Sequence, residues 1–173
     1  MLKVAMIGAG GRMGRAIIQC IAQSNDIELV GAATVPMDTA IGKDAGLNAG
    51  ADATGVLLTD DLRLALDGAQ VAIDFTLPQA LPSNLAACVE SGTPVVIGTT
   101  GLGPAQLGAL DQAAHEIPVV YARNMSVGVN VFTALVGAAA RALGEDYDAE
   151  ILEAHHRHKI DAPSGTALAV GEA

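Results

Sequence analysis

Tryptophan is absent from this 173-residue chain, and the remaining aromatics amount to only 2%. Apolar residues still make up 51%, enough for a core, but that core has to be built from Ala, Val, Leu and Ile. Cations are scarce: nine Lys and Arg stand against nineteen Asp and Glu, a formal net charge of −10. So acidic a chain offers no basic stripe to follow a phosphate backbone, and nucleic acid is not an expected partner. Cysteine is limited to Cys20 and Cys88, both in amphipathic helical patterns. Buried small hydrophobes in a reducing cytosol are expected, rather than a disulfide. No signal peptide is read at the start, since Met1–Val4 leads directly into an apolar strand pattern. No run reads as long and apolar enough to cross a bilayer, so no membrane partner is expected and a cytoplasmic location is.

Glycine, by contrast, is plentiful, with 20 residues. The chain alternates short apolar runs with helical patterns. Strands are predicted at Leu2–Ile7, Ile27–Thr34, Val56–Thr59, Val71–Phe75, Val95–Ile97 and Val119–Ala122. Helical stretches are predicted from the glycine loop to Gln23, over Asp61–Leu66, over Leu81–Glu90, and from Pro104 to His115. Residues 35–54 show no clear period and read as a long loop. Six strands in such alternation predict a doubly wound parallel sheet of Rossmann type. A long Ala/Val helix over Ser126–Leu143, a strand over Asp148–His156 and a helix from about Thr166 then read as the start of a second, α+β substrate domain. The expected division is 1–126 for a dinucleotide-binding domain and 127–173 for a partial substrate-binding domain.

The turn after the first strand, Gly8-Ala9-Gly10-Gly11-Arg12-Met13-Gly14, fits Gly-x-x-Gly-x-x-Gly better than Gly-x-Gly-x-x-Gly. Its place weighs more than its spelling. At the first strand–helix junction of such a sheet, bare backbone and a helix N-terminus can meet a pyrophosphate. A purely structural turn is the alternative. An acidic residue is usual at the end of the second strand, for the ribose hydroxyls. Here Thr34-Val35-Pro36 stands there and Asp38 follows late, while Arg12 is the cation in the loop that could receive a 2′-phosphate. NADH and NADPH both stay open.

Three of the four histidines and two of the nine Lys/Arg fall in His155-His156-Arg157-His158-Lys159. The cluster runs into Pro163-Ser164-Gly165-Thr166, a helix-start pattern. In a strand, His155, Arg157 and Lys159 would share one face and His156 and His158 the other. A solvated strand edge would explain the charge. A metal on His156 and His158 is not expected, because no Cys lies nearby and the spacing fits no common zinc pattern. The third reading is an anion-binding catalytic site, with imidazoles able to move a proton near neutral pH and an ammonium to hold a carboxylate.

The run His155 to Ala167 resembles the signature of the 4-hydroxy-tetrahydrodipicolinate reductase family, also called dihydrodipicolinate reductase. Gly8–Gly14, Asp74-Phe75-Thr76, Gly98-Thr99-Thr100-Gly101 and Asn124–Asn130 stand in that family's order, so the resemblance runs along the whole chain. It implies an NADH- or NADPH-dependent oxidoreductase that reduces a cyclic dicarboxylate in the diaminopimelate route to lysine. His155 is then the proton donor and Lys159 a second one, with His156, Gly165 and Thr166 holding the substrate carboxylates. Gly8, Ala9, Gly10, Gly11, Arg12 and Met13 would take the pyrophosphate. Gly98, Thr99, Thr100, Ala122, Arg123, Asn124 and Met125 would take the nicotinamide end. The resemblance also implies a homotetramer for full-length members, a chain here truncated at its C-terminus, and, if the substrate half is incomplete, an NAD(P)-binding module without catalysis. A different two-domain dehydrogenase of amino-acid precursors is the other alternative.

Overall fold

The computed structural model of the chain describes residues 1–155, 157 and 162–173. These form two compact units, Met1–Tyr121 and Ala122–Ala173.

The first unit is built on six parallel strands. They are β1 (Leu2–Ile7), β2 (Ile27–Ala33), β3 (Leu58–Thr59), β4 (Val71–Asp74), β5 (Val95–Ile97) and β6 (Val119–Tyr121). Their order across the sheet is β3-β2-β1-β4-β5-β6, the doubly wound order expected from the strand–helix alternation. Successive β1 side chains alternate between faces, and from Val4 to Ile7 both faces are buried, which is why that part of the run is apolar. Val4 and Met6 join one core with Ile18, Ile21, Leu29 and Leu58. Ala5 and Ile7 join another with Leu66, Leu81, Leu85, Val95 and Ile97.

Helix α1 (Arg12–Ala22) buries Gly14, Ile18 and Ile21, one face at i, i+4, i+7 spacing. Cys20 lies between those positions on the turn and is exposed, so the expectation that both cysteines are buried holds only for Cys88. Burial, with the Asp74 carboxylate adding to it, pushes the Cys88 thiol up to about 12. The segment read as a structureless loop contains α2 (Ala45–Ala49), a single turn too short to show a period. Asp44 organises it: its carboxylate accepts from Leu47 N at 3.0 Å, Gly55 N at 2.7 Å and Thr54 N at 3.2 Å. Three further helices complete the unit: α3 (Leu62–Leu66), α4 (Leu81–Ser91) and α5 (Pro104–Ala114).

The second unit holds α6 (Val127–Leu143), capped by Ser126, and α7 (Gly165–Gly171), capped by Ser164. Within α6 only Gly137 is buried, and Val131, Phe132 and Leu135 are exposed. By length and composition Val127–Asp146 could cross a membrane, which corrects the reading that no stretch could. Asn130, Thr133 and Arg141 interrupt the run without lowering its average below that of a spanning segment. Residues 148–155 form no strand, contrary to expectation. The polar–apolar alternation breaks at Ile151-Leu152, and a strand needs a hydrogen-bonded neighbour, which the described residues do not supply. His156, at the end of the expected strand, lies outside the described residues.

Candidate functional site

Strand β1 delivers the chain to the point where neighbours of β1 on either side lead away in opposite sequence directions, and the glycine turn begins there. Gly8 has φ +87°, and a Cβ on it would lie 2.7 Å from the Phe75 carbonyl oxygen. The turn is tied to β2 by Gly8 N and Ala9 N, which both donate to the Ala33 carbonyl at 2.9 and 2.8 Å. Gly14 packs directly on the Gly8 carbonyl and 2.8 Å from Ala9 Cα as measured to a notional Cβ. That close contact draws α1 against the turn. Gly11 caps α1 in an extended conformation without a side-chain bond to the first-turn N–H groups, and no acid stands in that turn. These N–H groups and the positive end of the helix suit an anion.

A cavity of about 590 Å³ opens beside the turn, with Gly8, Gly10 and Gly11 on one wall. Thr34 and Asp38 beyond β2 form a second wall, and Thr76 beyond β4 a third. Gly10 faces Thr34 and Asp38 so closely that any Cβ would overlap the Asp38 Oδ2 and Thr34 Oγ1 atoms. Asp38 is folded back: Thr34 Oγ1 donates to its Oδ2 at 2.6 Å and Ala40 N to its Oδ1 at 2.9 Å. The Thr34 and Ala40 bonds, with smaller contributions from Lys43 and Arg15, hold its carboxyl below the ordinary range. Arg12 and Met13, expected at the pyrophosphate, begin α1 with exposed side chains and do not line the cavity. Ala9 is fully buried, and its backbone serves the turn.

Behind the Thr76 wall lies a buried polar network that sequence reasoning did not assign. Asp74, 1% exposed, ends β4. Its Oδ1 accepts from Thr76 N at 2.9 Å, Thr76 Oγ1 at 2.7 Å and Thr99 Oγ1 at 3.2 Å, and its Oδ2 from Asn84 Nδ2 at 2.8 Å. Asn84 Nδ2 also donates to Thr76 Oγ1 at 3.1 Å, and Thr76 N to Thr99 Oγ1 at 3.1 Å. The network joins the turns after β4 and β5, and so places Gly98, Thr99 and Thr100 beside Phe75 and Thr76. Thr99 is buried, Thr100 is exposed, and Gly98 lies against the Phe75 ring with no room for a Cβ. An acid ending an apolar strand, with Thr two residues on, is the visible sign of such a network. Asn84, in the middle of a helix, gives none.

In the second unit Asn124 is the hub. Its Nδ2 donates to Thr166 Oγ1 at 3.1 Å, and its Oδ1 accepts from Ser126 N at 2.9 Å. Arg123 pairs with Glu172 at 3.0 Å. Two residues expected in different roles, Asn124 for the nucleotide and Thr166 for the substrate, are thus in contact. Ala122 precedes this hub and Met125 follows it, and Gly165 opens α7. His155 Nδ1 lies 3.7 Å from Glu153 Oε2, and Glu153 Oε1 accepts from Ser164 N at 2.9 Å. A single carboxylate therefore links the expected proton donor to the start of α7. His156 and Lys159, expected as substrate and proton-donating residues, lie outside the described residues. Among the described residues no His/Cys/Asp/Glu group is placed to hold a metal ion.

Models of the N-terminal and C-terminal parts of dihydrodipicolinate reductase match residues 2–125 and 128–173. The chain is 55% identical over 170 residues to a 4-hydroxy-tetrahydrodipicolinate reductase from Alkalilimnicola ehrlichii, covering 98% of this chain and 64% of that one. It is 50% identical over 172 residues to the enzyme of the same name from Thiobacillus denitrificans, covering 99% and 64%. A solved structure of dipicolinate-bound dihydrodipicolinate reductase from Paenisporosarcina sp. TG-14 matches at 28% identity with a TM-score of 0.72, over 99% of this chain and 64% of that one. The chain therefore spans 64% of the length of each of these relatives. Both parts of the family's pattern are matched in order, around a glycine turn set at the switch point of a doubly wound sheet, and the chain belongs to the dihydrodipicolinate reductase family.

Proposed function

We propose that the protein acts in the NAD(P)H-dependent reduction of 4-hydroxy-tetrahydrodipicolinate to tetrahydrodipicolinate, a cytoplasmic step of the diaminopimelate route to lysine. The observation that carries this reading is the cavity beside the glycine turn. Its wall at Gly8 and Gly10 leaves no room for side chains, and it stands next to a helix start without a side-chain cap. Glycine at these positions presents bare backbone to the cavity, and bare backbone beside a helix start suits a dinucleotide pyrophosphate. In this reading residues 8–13 hold the pyrophosphate, and Gly98, Thr99, Thr100 and residues 122–125 serve the nicotinamide end. When bound, the reduced nicotinamide supplies a hydride.

The second unit supplies the acid and the carboxylate grip. His155 gives the proton, and the Glu153 carboxylate stands 3.7 Å from its Nδ1. Lys159 is a second proton donor, and His156, Gly165 and Thr166 hold the substrate carboxylates. The net change adds a hydride and a proton and releases the substrate hydroxyl as water. The domain division in this reading is 1–126 and 127–173, and the assembly is the homotetramer that the family resemblance implies for full-length members.

The test is a calorimetric titration with NADH and then NADPH, with and without pyridine-2,6-dicarboxylate as a planar substrate mimic. Tighter nucleotide binding in the presence of the dicarboxylate is the expected result. Nucleotide binding indifferent to the dicarboxylate would reduce the chain to a nucleotide-binding module, and no nucleotide binding would overturn the reading. His155→Ala is expected to lower turnover by orders of magnitude while nucleotide affinity persists. A comparable loss of NADH affinity would remove His155 from the proton-donor role.

A further inference from the structure

The residues that follow β2 depart from the usual dinucleotide pattern, and the structure shows what stands in their place. An acid at the end of the second strand would accept from the ribose hydroxyls. Here the strand ends in Ala33, Val35 and Pro36 are apolar and exposed, and the carboxylate arrives four residues after Thr34. The Thr34 hydroxyl, at 2.6 Å, folds that carboxylate back over the strand end and against Gly10 of the turn. Asp38 thereby joins the cavity wall next to the pyrophosphate-binding backbone. Its Oδ1 accepts from Ala40 N and its Oδ2 from Thr34 Oγ1, and each oxygen of a carboxylate has a second lone pair to offer.

The charge around this point is one-sided. Among the described residues, the ionisable ones lining the cavity are Asp38 and Asp60, and the wall includes no Lys, Arg or His. Arg12, the cation that the sequence offers for a 2′-phosphate, is not part of that wall. Lys43 and Arg15 influence the Asp38 carboxyl, but less than its two hydrogen bonds do, and neither lines the cavity. A phosphate carrying most of two negative charges would meet two carboxylates in the described lining and have Lys43 and Arg15 only outside it, whereas two neutral hydroxyls would meet an acceptor with spare lone pairs.

We propose that Asp38 is the adenosine-ribose anchor of this chain, and that the cavity selects the dinucleotide with a free ribose 2′-hydroxyl, NADH, over NADPH. The proposal rests on the dinucleotide reading of the site given above. Its test measures binding rather than turnover: dissociation constants for NADH and NADPH, by calorimetry or by nicotinamide fluorescence, on the 173-residue chain and on Asp38→Asn. The expected result is NADH bound at least about tenfold more tightly than NADPH. Asp38→Asn should narrow that ratio several-fold, by weakening NADH and relieving the repulsion of NADPH, with the thermal unfolding midpoint recorded to show that the variant is folded. NADPH bound equally well or better by the unaltered chain overturns the proposal, while leaving the dinucleotide reading intact. So does an unchanged ratio in the folded variant. Failure of both nucleotides to bind overturns the dinucleotide reading and this proposal with it.

Discussion

Replacing Asp74 by asparagine tests whether the network behind the cavity wall holds the β4 and β5 turns together. The substitution keeps the shape of the side chain and removes its charge. Three donors converge on Oδ1 and one on Oδ2, so the amide oxygen must occupy the Oδ1 position to keep the larger set. The new NH₂ then faces the Asn84 NH₂, donor against donor, across a space now 2.8 Å wide. Losing that bond to a carboxylate removes about 1.5–3 kcal/mol, and turning three charge-assisted bonds into neutral ones removes about 1 kcal/mol each. Part of this is offset because a buried amide is cheaper to desolvate than a buried carboxylate, leaving an expected loss of about 2–4 kcal/mol. For a domain of ordinary stability, about 5–15 kcal/mol, that is a large share. The assay is urea unfolding of both proteins followed by far-ultraviolet circular dichroism, with NADH affinity measured alongside. A loss under about 0.5 kcal/mol with unchanged affinity would refute the reasoning, because it would mean that the Thr76 and Thr99 turns hold their places without the charge.

Four further outcomes are expected. Gly14→Ala would drive a methyl group into the Gly8 carbonyl, so nucleotide affinity should fall by at least about tenfold, measured by calorimetry, even where the fold survives. Gly31→Ala would drive one into the Ala65 carbonyl where α3 crosses β2, and its thermal midpoint should drop by several degrees in a melting experiment. Iodoacetamide at pH 7.5 should label exposed Cys20 and spare Cys88, whose thiol lies at about 12, until denaturant is added; mass spectrometry of the peptides reads this directly. Asp44 and Asp38 are both held below the ordinary 3.8, by hydrogen bonds foremost from Leu47 N and from Thr34. A depressed folded value contributes stability that is fully present above the unfolded value and lost as pH falls through the folded one. The unfolding midpoint should therefore stay level above about pH 5 and decline below about pH 4, less steeply in Asp44→Asn.

Much of the first unit was legible because its strands are buried on both faces. Leu2–Ile7 has no polar residue after Lys3, and a run of that kind between glycine and turn signals has few other uses than the centre of a parallel sheet. The glycine turn was legible for the same reason: its spacing is loose, but its position after the first strand restricts what it can do. What the sequence could not convey is where side chains fold back. Asp38 looked displaced from the ribose position when counted along the chain, and the Thr34 hydroxyl brings its carboxylate against Gly10. Asn84 looked like an ordinary helical residue, because its role depends on β4 passing beneath it. Hydrogen bonds across 10 or 25 residues leave no period to read.

In the second unit the limit was of another kind. Pairing is a property of two segments, which a local pattern cannot state, and the described residues offer 148–155 no neighbour. The helix was simpler, because its hydrogen bonds are internal: α6 begins one residue after its Ser126 cap and ends at Gly144, where expected. Glu153 joins the two lessons. In the sequence its carboxylate lies two residues before His155. In the structure it receives the Ser164 N–H at the start of α7 and stands 3.7 Å from His155. The bond that geometry supports is the one to the helix start. Glu153→Gln should keep the Ser164 bond through its amide oxygen, whereas Glu153→Ala leaves that N–H without it, so the alanine variant should melt at a lower temperature than the glutamine variant. Equal thermal midpoints for the two variants would refute the helix-anchor role.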